Sequence, residues 1–181
     1  MQACLDLLQN DPDFHIAINL SAIHFQSNRI HDLALNLCNR HQLKPNQIIF
    51  ELTERSLVDV DSSNIIKIMH DMHESGFKLA IDDFGTGYSS LSYLKHFDFD
   101  YLKIDKLFVS AIGTGAITES LNASIIAMAK NLHYKIIAEG IETEQQYQYL
   151  KNQGVEFAQG WLFAKALPIE ELKEYMTKQD N

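Results

Sequence analysis

Several apolar runs of this sequence end on a side chain that could bind a metal ion or carry a proton. These terminal residues are Asn19, Glu51, Asp82 with Asp83, Lys103 with Asp105, Glu139 and Gln159. A carboxylate at the end of a buried strand is costly unless it is paired or bound to a metal ion. Because run after run ends in this way, we expect the polar residues to lie together at one edge of a sheet.

The chemistry that these residues suggest is metal-dependent. Mg²⁺ and Mn²⁺ prefer carboxylate and amide oxygens, and five residues offer them: Asn19, Glu51, Asp82, Asp83 and Glu139. Where the chain turns at a strand end, both adjacent aspartates could reach metal, and one could bridge two ions. Two ions about 3.5–4 Å apart stabilise the attacking and leaving oxygens of a phosphoryl displacement. The pattern predicts such a site, in which Lys103 neutralises developing negative charge or orients the attacking water.

Other interpretations of the same residues remain open. Lys103 could instead form a salt bridge with Asp100 or Asp105, and Asn19 could simply hold a loop backbone. The run Gly85-Thr86-Gly87 could bring its backbone close to a phosphate. With Ser90 it also approaches the dinucleotide-binding fingerprint, but serine replaces the third glycine and the two preceding aspartates would repel a pyrophosphate. We therefore favour the metal site.

The elements that must position these residues alternate between strands and helices. Six apolar runs predict buried strands, at residues 14–20, 47–52, 77–82, 101–105, 134–139 and 155–159. Helical patterns are predicted at residues 1–10, 27–41, 62–75, 116–133, 143–153 and 169–178. Strand starts recur roughly every 20 to 35 residues, the length of a βα unit, so the class is α/β with a mostly parallel sheet.

The even spread of polar strand ends favours a (β/α) barrel, whose site uses residues from several strands. An open doubly wound sheet would concentrate its site at one crevice. The hydrophobic fraction of 46% is that of a soluble globular protein, and the net charge of −9 argues against a nucleic-acid polymer as partner. Cys4 and Cys38 are too few for a disulfide framework, which favours a cytoplasmic location.

Six motifs, in order and at matching spacing, resemble those of the EAL-domain proteins. They are Asn19-Leu20-Ser21, Glu51-Leu52-Thr53-Glu54, Asp82-Asp83-Phe84-Gly85-Thr86-Gly87, Lys103-Ile104-Asp105, Ala138-Glu139-Gly140-Ile141-Glu142 and Gln159-Gly160. The resemblance runs from Met1 to Pro168. It implies a (β/α)₈ TIM-like barrel that hydrolyses cyclic di-GMP to linear pGpG with two Mg²⁺ or Mn²⁺ ions, in bacterial signalling that controls biofilm formation and motility.

The resemblance also implies roles for individual residues. Asn19, Glu51 and Asp82 would bind one metal ion, and Asp82 with Asp83 would reach a second. Lys103 would position the nucleophilic water, with Glu139 and Asp83 taking part in catalysis. Substrate binding or loop support is implied for Glu54, Gly85, Gly87, Asp105, Glu142 and Gln159. Glu54 and the loop at residues 84–90 would couple metal binding to loop order and to homodimerisation.

The motif that names the family, Glu-Ala-Leu, is absent from the sequence. We therefore expect residues 1–181 to be a partial EAL-type domain that lacks about 60 residues, two of eight strands and one ligand carboxylate of a typical barrel. An inactive regulatory module that binds cyclic di-GMP or a protein is the alternative to an enzyme, but retention of Asp82, Asp83 and Lys103 favours the enzyme. An upstream sensor or diguanylate-cyclase-like domain, in a longer and membrane-attached protein, is a further expectation.

Overall fold

Six parallel strands form one sheet, in the same order as in the sequence. In this computed structural model, which describes residues 4–26, 28–58, 62–86, 94 and 96–179, the strand bounds are β1 Ile16–Leu20, β2 Ile48–Thr53, β3 Lys78–Phe84, β4 Tyr101–Ile104, β5 Lys135–Ala138 and β6 Phe157–Ala158. All six predicted strands are confirmed, with shifts of a few residues at their ends. A strand order without reversal is that of a (β/α) barrel rather than a doubly wound sheet.

Helices cover the connections between the strands. Their bounds are Leu5–Asn10, Arg29–His41, Glu54–Val58, Ser62–Glu74, Lys106–Ser110, Ile117–Asn131, Glu144–Asn152 and Ile169–Gln179, with 3₁₀ turns at Ala22–Gln26 and Pro45–Gln47. The longer helices match the predicted patterns. The short helices Glu54–Val58 and Lys106–Ser110 were not predicted, because five residues are too few for a helical period to be visible. None of the helices in the described ranges is both long and apolar enough to cross a bilayer.

Local signals in the sequence place the helix ends. Gly76 and Gly154 have φ angles of 93° and 73°, the left-handed conformation that ends a helix and that glycine adopts without a Cβ penalty. Thr143 and Gln146 form the predicted capping box, because each side chain accepts a hydrogen bond from the other residue's backbone N–H.

The core lies between the middle strands and the helices that cover them. Four residues of Ser62–Glu74 are fully buried at helical spacing, Ile65, Ile68, Met69 and Met72. They belong to the same buried cluster as Leu79 and Ile81 of β3, which are also fully buried. Burial of each such side chain stabilises the fold by about 1.5–3 kcal/mol relative to leaving it exposed. These residues therefore stabilise the centre of the sheet.

The two outer strands differ from the prediction in their burial. The residues of β6, Phe157 and Ala158, are exposed, and β1 alternates between partly buried and exposed positions before Leu20. Both strands were predicted to be buried. The expectation was wrong because each pairs with only one strand among the described residues, β1 with β2 and β6 with β5.

Candidate metal-dependent active site

The candidate site lies at the carboxyl ends of the strands, on the concave face of the sheet. A cavity of about 440 Å³ on this face is lined by residues that include Ile49, Tyr101, Ile137 and Phe157. Side chains two residues apart on a strand share a face. The polar residues that follow these four positions at that spacing are Glu51, Lys103, Glu139 and Gln159. The alternation of the strands therefore aims all four toward the interior.

The side chain of Lys103, on β4, contacts polar residues at the ends of three other strands. Its Nζ lies 2.8 Å from Glu51 Oε1, 3.1 Å from Asp82 Oδ1 and 2.6 Å from Glu139 Oε1. The Lys103 residue is 5% exposed. Burial by itself would lower the pKa of Lys103, but hydrogen bonds to Glu139 and Glu51 hold that pKa above the ordinary value of a lysine. The ammonium group therefore stays charged.

The alternative partners considered for Lys103 have other contacts. Asp100 pairs with Lys78, whose Nζ lies 2.6 Å from Asp100 Oδ1. Asp105 caps the helix Lys106–Ser110, because its carboxylate accepts a hydrogen bond of 2.7 Å from the backbone N–H of Leu107. The structure therefore contains no salt bridge from Lys103 to either aspartate.

The two adjacent aspartates reach the same place through a backbone irregularity. Asp83 has a φ angle of 53°, and the pairing of β3 with β4 shifts register between Ile81 and Phe84. This turn breaks the alternation that would otherwise point Asp83 away from Asp82. As a result, carboxylate oxygens of Asp82, Asp83 and Glu139 lie within 4.8 Å of one another.

The electrostatics of this group suit a divalent cation. Burial raises the pKa of Asp83, and the neighbouring charge of Asp82 raises it further. Burial also raises the pKa of Glu139, although Lys103 opposes the shift. Crowded carboxylates with raised pKa values are stabilised by a cation that offsets their repulsion. The oxygen-only donor set fits Mg²⁺ or Mn²⁺.

Two of the predicted ligands stand apart from this group. Glu51 touches it only through Lys103, to which it is paired. Asn19 lies opposite Glu51 in the β1–β2 register and is exposed. Both residues are at the same edge of the sheet, so the strand register is compatible with the predicted ligand set. Among the described residues, the carboxylates that lie within 4.8 Å of one another are those of Asp82, Asp83 and Glu139.

Glu54 supports the start of the loop that follows β3. It is 2% exposed, and its Oε2 accepts a hydrogen bond of 2.9 Å from the backbone N–H of Gly85. Gly85 has a φ of 92°, and a Cβ there would lie 2.9 Å from the ring of Phe108. The position therefore requires glycine. Gly87 and the rest of the run to Ser90 lie outside the described residues.

The remaining predicted residues lie beside Glu139. Gln159 Nε2 donates a hydrogen bond of 2.8 Å to Glu139 Oε1. Glu142 is paired with Lys106 instead of joining the carboxylate group. Lys106 was not predicted as part of the site. Its place directly after Asp105, at the end of β4, was the available signal in the sequence.

This fold and this cluster define an α/β barrel protein with a candidate site for divalent cations at the carboxyl ends of its strands. The family model described as EAL domain matches residues 1–166. The chain belongs to the EAL domain family.

Known proteins resemble the chain over most of its length. "Probable cyclic di-GMP phosphodiesterase PdeB" of Escherichia coli (strain K12) is 46% identical over 166 residues, which cover 92% of this chain and 31% of PdeB. The chain thus spans about a third of the length of that relative, and less of several others. Among solved structures, "PaMucR Phosphodiesterase, c-di-GMP complex" is 35% identical with a TM-score of 0.86, covering 94% of this chain and 70% of PaMucR.

A further solved relative is a metal complex. The Klebsiella pneumoniae BlrP1 manganese/cy-diGMP complex has a TM-score of 0.76 and is 31% identical, covering 90% of this chain and 41% of BlrP1.

Proposed function

We propose that this chain belongs to a phosphodiesterase that hydrolyses cyclic di-GMP to linear pGpG with Mg²⁺ or Mn²⁺. The observation that carries the proposal is the contact of Lys103 with Glu51, Asp82 and Glu139, beside the three-carboxylate group. The names of PdeB and of the PaMucR and BlrP1 complexes support the same substrate class.

In the proposed site Asp82 and Asp83 would hold the metal ions, with Asn19, Glu51 and Glu139 as further ligands. When bound, the metal ions would lower the pKa of a water molecule and withdraw charge from the phosphate. Lys103, charged at neutral pH, would donate a hydrogen bond to the water and offset the negative charge that develops on phosphorus oxygens.

The proton of the water would pass to a carboxylate oxygen of Glu139 or Asp83. The water oxygen forms a bond to phosphorus while the bond from phosphorus to the ribose 3′ oxygen breaks. The leaving oxygen then takes up a proton, and the linear dinucleotide results. Gln159 would hold Glu139 in position through the hydrogen bond to Oε1.

The direct test is incubation of cyclic di-GMP with the protein and Mn²⁺ or Mg²⁺, followed by chromatography of the nucleotides. We expect linear pGpG from the unmodified chain and none from the Asp82→Asn variant. Binding of cyclic di-GMP without any linear product would reject the enzyme and support the alternative, a regulatory binding module.

We also propose that the protein forms a homodimer through the helices beside Gly85. Ile117 and Leu121 share one face of the helix Ile117–Asn131 and are 85% and 43% exposed. Ile125 of the same helix packs within 3.4 Å of the position of a Gly85 Cβ. Sedimentation of the wild-type chain and of an Ile117→Glu variant tests this. A monomeric wild-type chain would contradict it.

The setting of the domain is a proposal as well. The MucR relative is named a bifunctional diguanylate cyclase/cyclic di-GMP phosphodiesterase, and this chain covers 23% of it. We propose that the domain acts in the cytoplasm, next to a sensor or diguanylate-cyclase-like domain. The cysteines Cys4 and Cys38, both free, suit a reducing compartment.

A further inference from the structure

We propose that Asn122 is a positioning residue for the candidate metal site. It acts through the short helix Lys106–Ser110, which lies against the turn that gathers the carboxylates of Asp82, Asp83 and Glu139. The inference rests on the proposed function and adds to it a residue that acts through its neighbours rather than on the metal ions or the substrate.

The side chain of Asn122 is unfavourable for the position that it occupies. The residue is 0% exposed and lies on the buried face of the helix Ile117–Asn131, beside Ile125 and Ile126. Its Nδ2 donates a hydrogen bond of 2.7 Å to the backbone carbonyl of Phe108. Its Oδ1 is buried and has no hydrogen-bond partner among the described residues. A buried acceptor without a partner destabilises the fold, which an apolar side chain would not do. Stability alone therefore does not account for an asparagine here.

The amide of Asn122 holds a helix that is too short to be stable by itself. The helix Lys106–Ser110 has five residues, and isolated helices of that length do not form in water. Contacts with the rest of the protein must therefore fix it. At its start the helix is capped by Asp105. Toward its end the carbonyl of Phe108 accepts hydrogen bonds from Ala111 N–H, at 3.2 Å, and from Asn122. Asn122 thus pins one end of the short helix and Asp105 the other.

The short helix supports the turn of the carboxylate site at two points. A Cβ on Gly85 would lie 2.9 Å from the ring of Phe108, so this ring lies directly against the turn. Asp105 lies beside Asp83: burial and the charge of Asp82 raise the pKa of Asp83, and Asp105 raises it further through its charge and a side-chain hydrogen bond. The φ of 53° at Asp83 is a strained conformation, which persists only where the surrounding structure holds it. The short helix is part of that surrounding structure.

These contacts connect Asn122 to the candidate metal ligands. Asn122 fixes the carbonyl of Phe108, the ring of Phe108 packs on Gly85, and the turn that ends at Gly85 sets the direction of the Asp83 carboxylate. Without the amide the fold should remain, but the short helix can shift and the carboxylates can separate. Residues that orient metal ligands from outside the coordination shell typically change metal affinity 10- to 100-fold when they are substituted. Metal affinity, rather than stability, is therefore the property that Asn122 controls.

Calorimetric titration of Mn²⁺ into the metal-free 181-residue chain measures this affinity, and thermal unfolding in EDTA measures stability. Asn122→Leu removes the amide and its unpartnered oxygen with little change in volume. We expect this variant to bind Mn²⁺ about fivefold or more weakly, with a Tm in EDTA equal to or above that of the unmodified chain. Ile126→Val is the matched control, because Ile126 is buried on the same helix and apolar. Its Tm should fall while its affinity for Mn²⁺ stays unchanged.

A second variant tests the next residue in the same series of contacts and does not depend on how well Asn122→Leu folds. Phe108→Leu keeps the carbonyl that Asn122 binds but removes the ring that packs on Gly85. It should therefore also weaken the binding of Mn²⁺. If the two residues act through one series of contacts, the loss of affinity in the double variant should be smaller than the product of the two single losses, whereas independent effects would multiply.

The outcomes distinguish the role of Asn122 from the function on which it rests. Unchanged Mn²⁺ affinity in Asn122→Leu, an equal loss in Ile126→Val, or single losses that simply multiply would each overturn the positioning role. If the unmodified chain still converts cyclic di-GMP to linear product, the proposed function stays intact in those cases. The expected loss of Mn²⁺ affinity without any linear product from the unmodified chain would support the positioning role and reject the enzyme. Absence of Mn²⁺ binding to the unmodified chain would overturn both.

Discussion

Lys103 Nζ lies 2.6 Å from Glu139 Oε1, which joins the end of β4 to the residue that follows β5. The same ammonium group also contacts Glu51 and Asp82, so one buried cation holds the ends of four neighbouring strands together. A cation in this position both stabilises the acidic strand ends and stands where charge would develop during phosphoryl transfer. Four predictions follow from the contacts of this region.

Removing the ammonium group should impair stability and activity together. Lys103→Met leaves three partly or fully buried carboxylates without their cation, and breaking a buried ion pair costs about 3–5 kcal/mol. We expect a lower free energy of unfolding in urea and a loss of at least about 100-fold in kcat/KM. Lys78→Met is the control, because the Lys78 side chain is 34% exposed against 6% for Lys103, and the loss should be about 1 kcal/mol or less. Equal losses in the two variants would contradict the prediction.

Divalent cations should stabilise the fold through the carboxylate group. A ligand present at 100 times its Kd adds about 2.7 kcal/mol, so Mg²⁺ or Mn²⁺ should raise Tm. Asp83→Asn should remove most of this rise. Glu142→Gln should not, because Glu142 lies at the same edge but pairs with Lys106. Thermal unfolding with and without EDTA measures the effect, and a rise that survives in Asp83→Asn would refute the assignment.

Without metal, stability should increase as pH falls through the raised pKa values of Asp83 and Glu139. The pKa values of Asp83 and Glu139 are raised in the folded protein, mainly by burial. The folded state therefore binds protons more tightly than the unfolded chain, and stability is lost as pH rises from the ordinary carboxyl pKa through the raised one. Urea unfolding in EDTA across this range should show the slope, and the double variant Asp83→Asn, Glu139→Gln should lack it.

A histidine could obscure that measurement. The hydrogen bond to Asp98 raises the pKa of His70, which adds stability below the pKa of an unfolded histidine and loses it as pH rises through the raised value. Its effect has the same sign, so the comparison is best made in a His70→Gln background. A slope that persists there in the double variant would show that other groups cause it.

Gly85→Ala should lower the free energy of unfolding by more than the backbone strain of an alanine at positive φ alone explains. The new Cβ meets the Phe108 ring at 2.9 Å and the φ of 92° is unfavourable, so we expect a loss of about 2 kcal/mol or more in the free energy of unfolding. Gly115→Ala is a matched control, with a φ of 71° but nothing within 4 Å of the added atom. Only Gly85→Ala should also reduce metal affinity, because Gly85 N–H binds Glu54. Similar effects in both variants would contradict the role of packing.

The predicted features that depend on neighbouring residues in the chain were the most accurate. The apolar runs correctly predicted the six strands, and Gly76 and Gly154 correctly predicted two helix ends. Thr143 with Gln146 correctly predicted a capping box. The burial of β6 was predicted wrongly, because exposure depends on what packs against a strand. The short helix after Asp105 was missed because five residues are too few for a helical period to be visible; its cap, the Asp105 carboxylate, accepts a hydrogen bond from Leu107 N–H.

The sequence by itself determined which polar residues end the strands of this protein, because parallel strands bring those ends to one edge whatever the details of packing. Only the tertiary structure decided which of these residues contact one another. The left-handed turn at Asp83 gathers Asp82, Asp83 and Glu139, while Lys103 takes Glu51 rather than Asp100 or Asp105 as a partner. These choices depend on register, on backbone turns and on which groups lose water, and residues distant in the sequence set all three.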